Sequence, residues 1–360
     1  MNFLDSQEVN GTRYDLLGVD TDRIYPGTDL TVKFAAEIKG YSDAWAWIKA
    51  RIKAGNYAGI HVSDYIPFTT TNSVTMKAQV AGINTYTNYG DSQVGNHIDF
   101  ITQELWPTNH VMNPVNWNNG LIPVEKLSGD GTTTAFTLTK QMSAVDNILV
   151  GGEQVTAFSY DASTFTVTFD EAPASGSSNI TVTGTGTQYP WLASDLYLYL
   201  NSLAGQVPNS TDNPPNTAVK HVDYTKDGVY YYLPQALKNV ITNKRALLPQ
   251  RYSASGKLST NNTWGWQDAG NLWVPSEIEV AGCAVWGGGG YDAGGFVQYP
   301  IFNACMNRAK KRSGSRYLWW TLSASSGNAT HFGYGSSNGV VGSSSASSTW
   351  LSAPVCFRVS

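Results

Sequence analysis

TLSASSGNATHFGYGSSNGVVGSSSASSTWLSA, residues Thr321 to Ala353, decides how this chain is read. Eleven of its 33 residues are Ser and five are Gly, a composition that ordinarily marks a linker. Two features place it inside a fold instead. Phe332 and Tyr334 alternate with His331, Gly333 and Gly335, the period of a half-buried strand, and Asn338-Gly339 is a hairpin signal. Apolar strand-like runs also bracket it, Arg316–Trp320 before and Ala353–Val359 after. An ordered backbone presenting small polar side chains outward is the physical description of a recognition face.

Working outward, the texture changes twice. From Trp264 the chain reads WGWQDAGNLWVPSEIEVAGCAVWGGGG, short strands and Gly-rich loops, with a Ser276/Glu279 capping box opening a short helix after Pro275. Further back, 128–187 holds five strand-like runs: AFTLT (135–139), NILV (147–150), TAFSY (156–160), TFTVTFD (164–170) and NITVTG (179–184). Turn chemistry separates them, predicting a small sandwich-like or barrel-like all-β module. Helical patterning stops before this segment and resumes after it, so the module reads as an insertion into a host domain. Helices are expected over Tyr41–Lys53 (capped by Ser42), Ser92–Leu105, Trp191–Leu203, Leu233–Leu247 (closed by Pro249) and Pro300–Arg312.

The 360 residues carry 23 Lys+Arg against 27 Asp+Glu, a net charge of −4, and 41% are hydrophobic. That balance excludes wholesale disorder and a generally basic nucleic-acid binder. No apolar run reaches the ~20 residues of a membrane span, and Met1–Asn10 has no leader pattern, so membrane insertion and a signal peptide are not expected. Cys283, Cys305 and Cys356 form no CxxC pair and are read as small core residues.

Sharper chemistry finds little support. Gly335-Ser336-Ser337-Asn338-Gly339 matches a nucleophile elbow in letters, but no helical pattern follows it. Gly288-x-Gly290-x-x-Ala293 lacks the helix that would hold a pyrophosphate. His61, His97, His110, His221 and His331 show no metal-ligand spacing, and no acidic run resembles an EF-hand. No catalytic residue, metal or cofactor is assigned. Asn307–Arg316 (NRAKKRSGSR) gathers five cations, read first as complementing a helix C-terminus and second as a weak anion contact. Trp264, Trp266, Trp273 and Trp286 are read as core.

LWVPSEIEVAGCAVWG, GGFVQYPIF, SRYLWWTLSASSG, THFGYGSSNG and APVCFRVS resemble the C-type-lectin-fold variable proteins of bacteriophages and prophages, whose C-terminal segment is diversified by retroelements. Formylglycine-generating enzymes share that fold. The resemblance covers roughly 57–126 and 189–360. It implies an α+β fold: a discontinuous C-type-lectin-like domain (41–127 and 188–360), with 128–187 inserted and 1–40 serving attachment or oligomerisation. It implies fixed scaffold positions at Trp319, Trp320, Phe332, Pro354, Phe357 and Arg358. Variable, ligand-facing positions would be Ser325, Ser326, Asn328, His331, Gly333, Gly335, Ser336, Ser337, Ser343, Ser345, Ser347 and Trp350, with Tyr334 a further contact anchor. The implied role is a non-enzymatic virion protein that binds a bacterial surface protein or glycan, joined to other virion proteins and homo-oligomeric, by analogy a trimer. A purely structural head or tail component is the alternative, and a formylglycine-type enzyme using Cys356 a minor one. The calcium-lectin triplets are absent, so calcium-mediated sugar binding is not implied.

Overall fold

Phe100 and Phe357 sit opposite each other on neighbouring strands and stack at 5.3 Å, and Trp45 meets both rings edge-on at 5.8 Å. Around this trio the computed structural model builds a five-stranded antiparallel sheet in the order Ile241–Thr242, Cys356–Val359, Ile98–Thr102, Thr75–Ile83, Tyr65–Thr69. Helix Ala44–Lys53 lies against it through Trp45, Ile48 and Ile52. The structure describes residues 26–87, 89–90, 94–209, 219–251, 264–287 and 296–360, with the backbone of a short hairpin at Ser6–Val9 and Thr12–Asp15. The result is a strand-rich α+β fold. Among the described residues no helix is long and apolar enough to cross a membrane.

Four helical expectations are corrected. Ser92–Leu105 contains the strand Ile98–Thr102, all five residues of which are buried. A strand covered on both faces loses its period-two signature, and Ile98, Ile101 and Leu105 happen to fall at helical spacing. Leu233–Leu247 keeps one turn at Gln235–Lys238, because Ile241–Thr242 is claimed by the C-terminal strand and Arg245–Pro249 by Trp264–Asp268. Pro300–Arg312 forms two 3-10 turns, Pro300–Asn303 and Cys305–Arg308. Trp191–Leu203 shortens to Asp195–Asn201, and the first helix is capped by Asp43, not Ser42, its carboxylate accepting from the Trp45 and Ala46 amides at 2.8 Å. The Ser276/Glu279 capping box is present.

Strands Val124–Gly129, Ala135–Thr137, Val145–Val150, Glu153–Val155, Phe158–Asp161, Thr166–Phe169 and Gly176–Gly184 form one three-stranded and one four-stranded sheet. They enclose their own core of Leu138, Met142, Ile148, Val167, Phe169, Ile180 and Val182. The host core instead joins residues from both sides of this segment, among them Trp47, Trp106, Trp191, Trp273 and Trp319. Leu30 is fully buried in that host core, so the chain from Leu30 onward packs with the host. Most of 1–25, and Gly288-x-Gly290-x-x-Ala293, lie outside the described residues.

Two ion pairs are sealed in the host interior. Arg358 grips both oxygens of Asp99 at 2.7 and 2.8 Å, and Lys244 contacts Glu279 inside a cage of Tyr86, Trp273, Phe296 and Tyr299 rings. Burial pushes the Asp99 carboxyl up, but the Arg358 charge and its hydrogen bonds outweigh that and hold it below the ordinary carboxylate value.

Candidate functional site

The Ser-rich tract folds as a three-stranded antiparallel sheet, Trp319–Ala324, His331–Gly335 and Val341–Ser345. The hairpin between the last two turns through Ser336–Val340. Gly339 there adopts φ +86°, the left-handed backbone that favours glycine, and its amide donates to the Ser336 carbonyl at 3.1 Å. Gly335–Gly339 is therefore a tight turn with no helix behind it.

Period-two geometry sorts the expected contacts onto two faces. His331 pairs with Ser345 and Gly333 with Ser343, so His331, Ser343 and Ser345 share one face. Phe332 pairs with Ser344 and Tyr334 with Gly342 on the other. There Phe332 is fully buried, and Tyr334 lies edge-on to Trp350 at 6.3 Å. Trp350 is 46% exposed and Asn328 is exposed. Ser326, His331, Tyr334, Ser336, Ser337, Ser343, Ser345 and Ser347 are half-buried, each with part of its surface in solvent.

Three expected ligand positions are corrected because they are enclosed. Ser325 is 3% exposed. Gly333 is covered: a Cβ there would stand 2.5 Å from Thr321 Oγ1 and 2.7 Å from Glu277 Oε1. At Gly335 it would stand 2.2 Å from the Trp319 ring. These glycines are small because something already occupies the side-chain space. The expected scaffold set is buried throughout: Trp319, Trp320, Phe332, Pro354, Phe357 and Arg358. Trp273 is core as expected, Trp264 and Trp266 are half-buried, and Trp286 is a correction at 45% exposed. Its indole N–H donates to the Val341 carbonyl at 3.4 Å, and its own carbonyl accepts from the Ser326 amide at 2.9 Å. Trp286 thus adds a large exposed ring beside the sheet.

The backbone of the tract is held from outside by residues the sequence did not single out. The fully buried Asn118 side-chain nitrogen reaches the carbonyls of Ser325, Asn328 and His331 at 3.2, 2.6 and 2.5 Å. Arg251, also fully buried, donates to the Ser325 carbonyl. The Asn113 amide donates to Ala346 O at 2.9 Å, Asn116 accepts from the Ser347 hydroxyl at 2.6 Å, and Trp320 Nε1 donates to His110 O at 2.8 Å. One Asn-rich segment, 109–119, therefore carries the tract. Its five asparagines were the only available signal, and locally they read as a loop.

Glu277 supports the same region from below. Its Oε2 accepts from the Val285, Trp286 and Gly287 amides at 3.1, 2.9 and 2.8 Å, fixing the chain that carries Trp286. Burial pushes this carboxyl up, and the three amide bonds act in the opposite direction. Among the described residues, no group of three or more His, Cys, Asp or Glu side chains is placed to hold a metal ion. The corrected cysteine reading is that Cys283 and Cys305 are exposed and only Cys356 is buried. No family model, no curated protein and no solved structure matches this chain.

Proposed function

We propose that the chain is a virion-borne display protein that presents the 321–353 sheet, built on a C-type-lectin-like host domain, to a ligand on a bacterial surface. The supporting observation is the separation of roles within one tract. Its backbone is tied to buried Asn118, Arg251 and the 109–119 segment, while its small polar side chains and the Trp350 and Trp286 rings keep surface in solvent. A backbone fixed in this way tolerates exchange of its outward side chains, because their contacts do not determine the fold. Few rotamers are lost when serine hydroxyls meet a ligand, and exposed tryptophans are the side chains that most often anchor an interface. The ligand-facing set is Ser326, Asn328, His331, Tyr334, Ser336, Ser337, Ser343, Ser345, Ser347, Trp350 and, added here, Trp286. In this role the protein is non-enzymatic, needs no cofactor, and assembles with other virion proteins as a homo-oligomer.

The test is a combined change of Ser336, Ser343 and Trp350 in the intact particle. Host adsorption should fall while particle assembly and melting temperature stay the same. Failed assembly with unchanged adsorption would instead indicate a purely structural virion component. A near-copy of the coding segment for 316–360, differing at adenines and lying beside a reverse-transcriptase gene, would independently support diversification.

A further inference from the structure

The small hairpin Lys311–Arg312/Ser315–Arg316 docks beside the strand Ile98–Thr102, with the Leu105 amide donating to Lys311 O at 2.8 Å. This docking leaves two clefts that share the wall of Gln103 and Glu104. The larger is about 390 Å³, within the ~300–1,000 Å³ range of small-ligand sites. Lys310, Lys311 and Arg316 line it with Gln79 and Asn307, and Glu104 is its one carboxylate. Three cations against one carboxylate leave a local charge of +2. The adjoining cleft, about 320 Å³, adds Lys77 and Arg312.

Lys310 is the unusual member. It is only 4% exposed, and its ammonium donates to the Thr102 carbonyl at 2.8 Å. An ammonium has three donors, yet no carboxylate pairs with this one among the described residues. Unpaired buried charge is costly, and the fold retains it on a residue that lines the cleft. Burial also pushes the Lys310 ammonium down to about 8, with no carboxylate restoring it. Lys311 and Arg316 are exposed, and neither forms an ion pair among the described residues. The sequence placed this basic run at a helix C-terminus, but it stands instead on a hairpin.

We propose that this cleft binds a phosphate group, with Lys310 supplying the buried countercharge and Lys311 and Arg316 engaging the outer oxygens. A phosphomonoester dianion balances the local +2, and the Arg316 fork suits two phosphate oxygens at once. The inference does not rest on the display reading, because none of these residues belongs to the 321–353 tract. The phosphate could come from a free monoester or from a polyol-phosphate polymer.

Full-length protein in phosphate-free buffer is titrated calorimetrically with inorganic phosphate and, separately, with a glycerol-phosphate oligomer. One-to-one saturable binding is expected for at least one probe, weakened at least tenfold in K311A/R316A and in K310M. Tighter binding of the oligomer identifies the polymeric source, and binding of phosphate alone the free one. If K310M fails to fold, the surface double variant still decides the matter. Absence of saturable binding, or unchanged binding in K311A/R316A, would overturn the proposal.

Discussion

Replacing Gly335 by alanine separates a diversified surface from its fixed frame. The added Cβ would stand 2.2 Å from Trp319 Cε2 and within 2.6 Å of Cζ2 and Nε1. Trp319 has little room to yield: it is fully buried, stacked on Phe302 at 6.1 Å, and its Nε1 donates to the Arg308 carbonyl at 3.0 Å. The backbone at Gly335 is not in the left-handed region, so the cost is steric alone. Overpacking a rigid core costs about 1–3 kcal/mol. In a domain of roughly 250 residues, each 1 kcal/mol moves the midpoint by about 2–4 °C. Thermal unfolding followed by near-ultraviolet circular dichroism should therefore show Gly335→Ala melting roughly 2–12 °C below the parent. Ser337→Ala and Ser343→Ala remove partly exposed hydroxyls and should stay within about 0.5 kcal/mol of it. If Gly335→Ala melts with the parent, the ring does not fix this position, and Gly335 belongs with the exchangeable residues after all.

Asp99→Asn leaves Arg358 buried without its carboxylate and should cost about 3–5 kcal/mol in a urea titration. Because the folded Asp99 carboxyl is held below its unfolded value of about 3.9, its contribution is present above that pH and is lost as pH falls through the lower folded value; acid unfolding curves of parent and variant should converge there. Lys310 runs the opposite way. Its folded ammonium titrates near 8 against about 10.4 in the unfolded chain, so the unfolded chain binds the proton more tightly and stability rises across that window. Relative to Lys310→Met, the parent should gain up to roughly 3 kcal/mol between pH 7 and 10.5 in phosphate-free buffer, and a flat difference would show that the ammonium is not desolvated. A thiol reagent should modify Cys283 and Cys305 in the folded protein and Cys356 only after unfolding, since burial pushes the Cys356 thiol well above its ordinary value; rapid reaction of all three would contradict its burial.

The parts of this fold that were legible in the sequence are those whose signal is local. Phe332 and Tyr334 announced a strand by alternation, Ser276 and Glu279 announced a helix start by spacing, and the module strands announced themselves by β-branched runs between turns. Ile98–Thr102 was opaque because burial on both faces erases alternation. Asn118 and Arg251 were opaque for a different reason. Each holds a carbonyl of the tract from a position 74 or more residues away in the chain, and nothing near either residue encodes that partner.

The glycines of the tract show how composition can mislead where local packing decides. By register Gly333 and Gly335 share the face of His331, Ser343 and Ser345, yet at these two positions Thr321, Glu277 and Trp319 already fill the side-chain space. The same parity governs what a ligand can touch. His331, Ser343 and Ser345 project to one side of the sheet, while Tyr334 projects to the other against Trp350. A flat partner lying on one side of the sheet cannot draw equally on both groups. Substitutions within the His331 group should therefore act together on such a partner, while those at Tyr334 and Trp350 form a second set; only a ligand that wraps the Ser336–Val340 turn would couple the two.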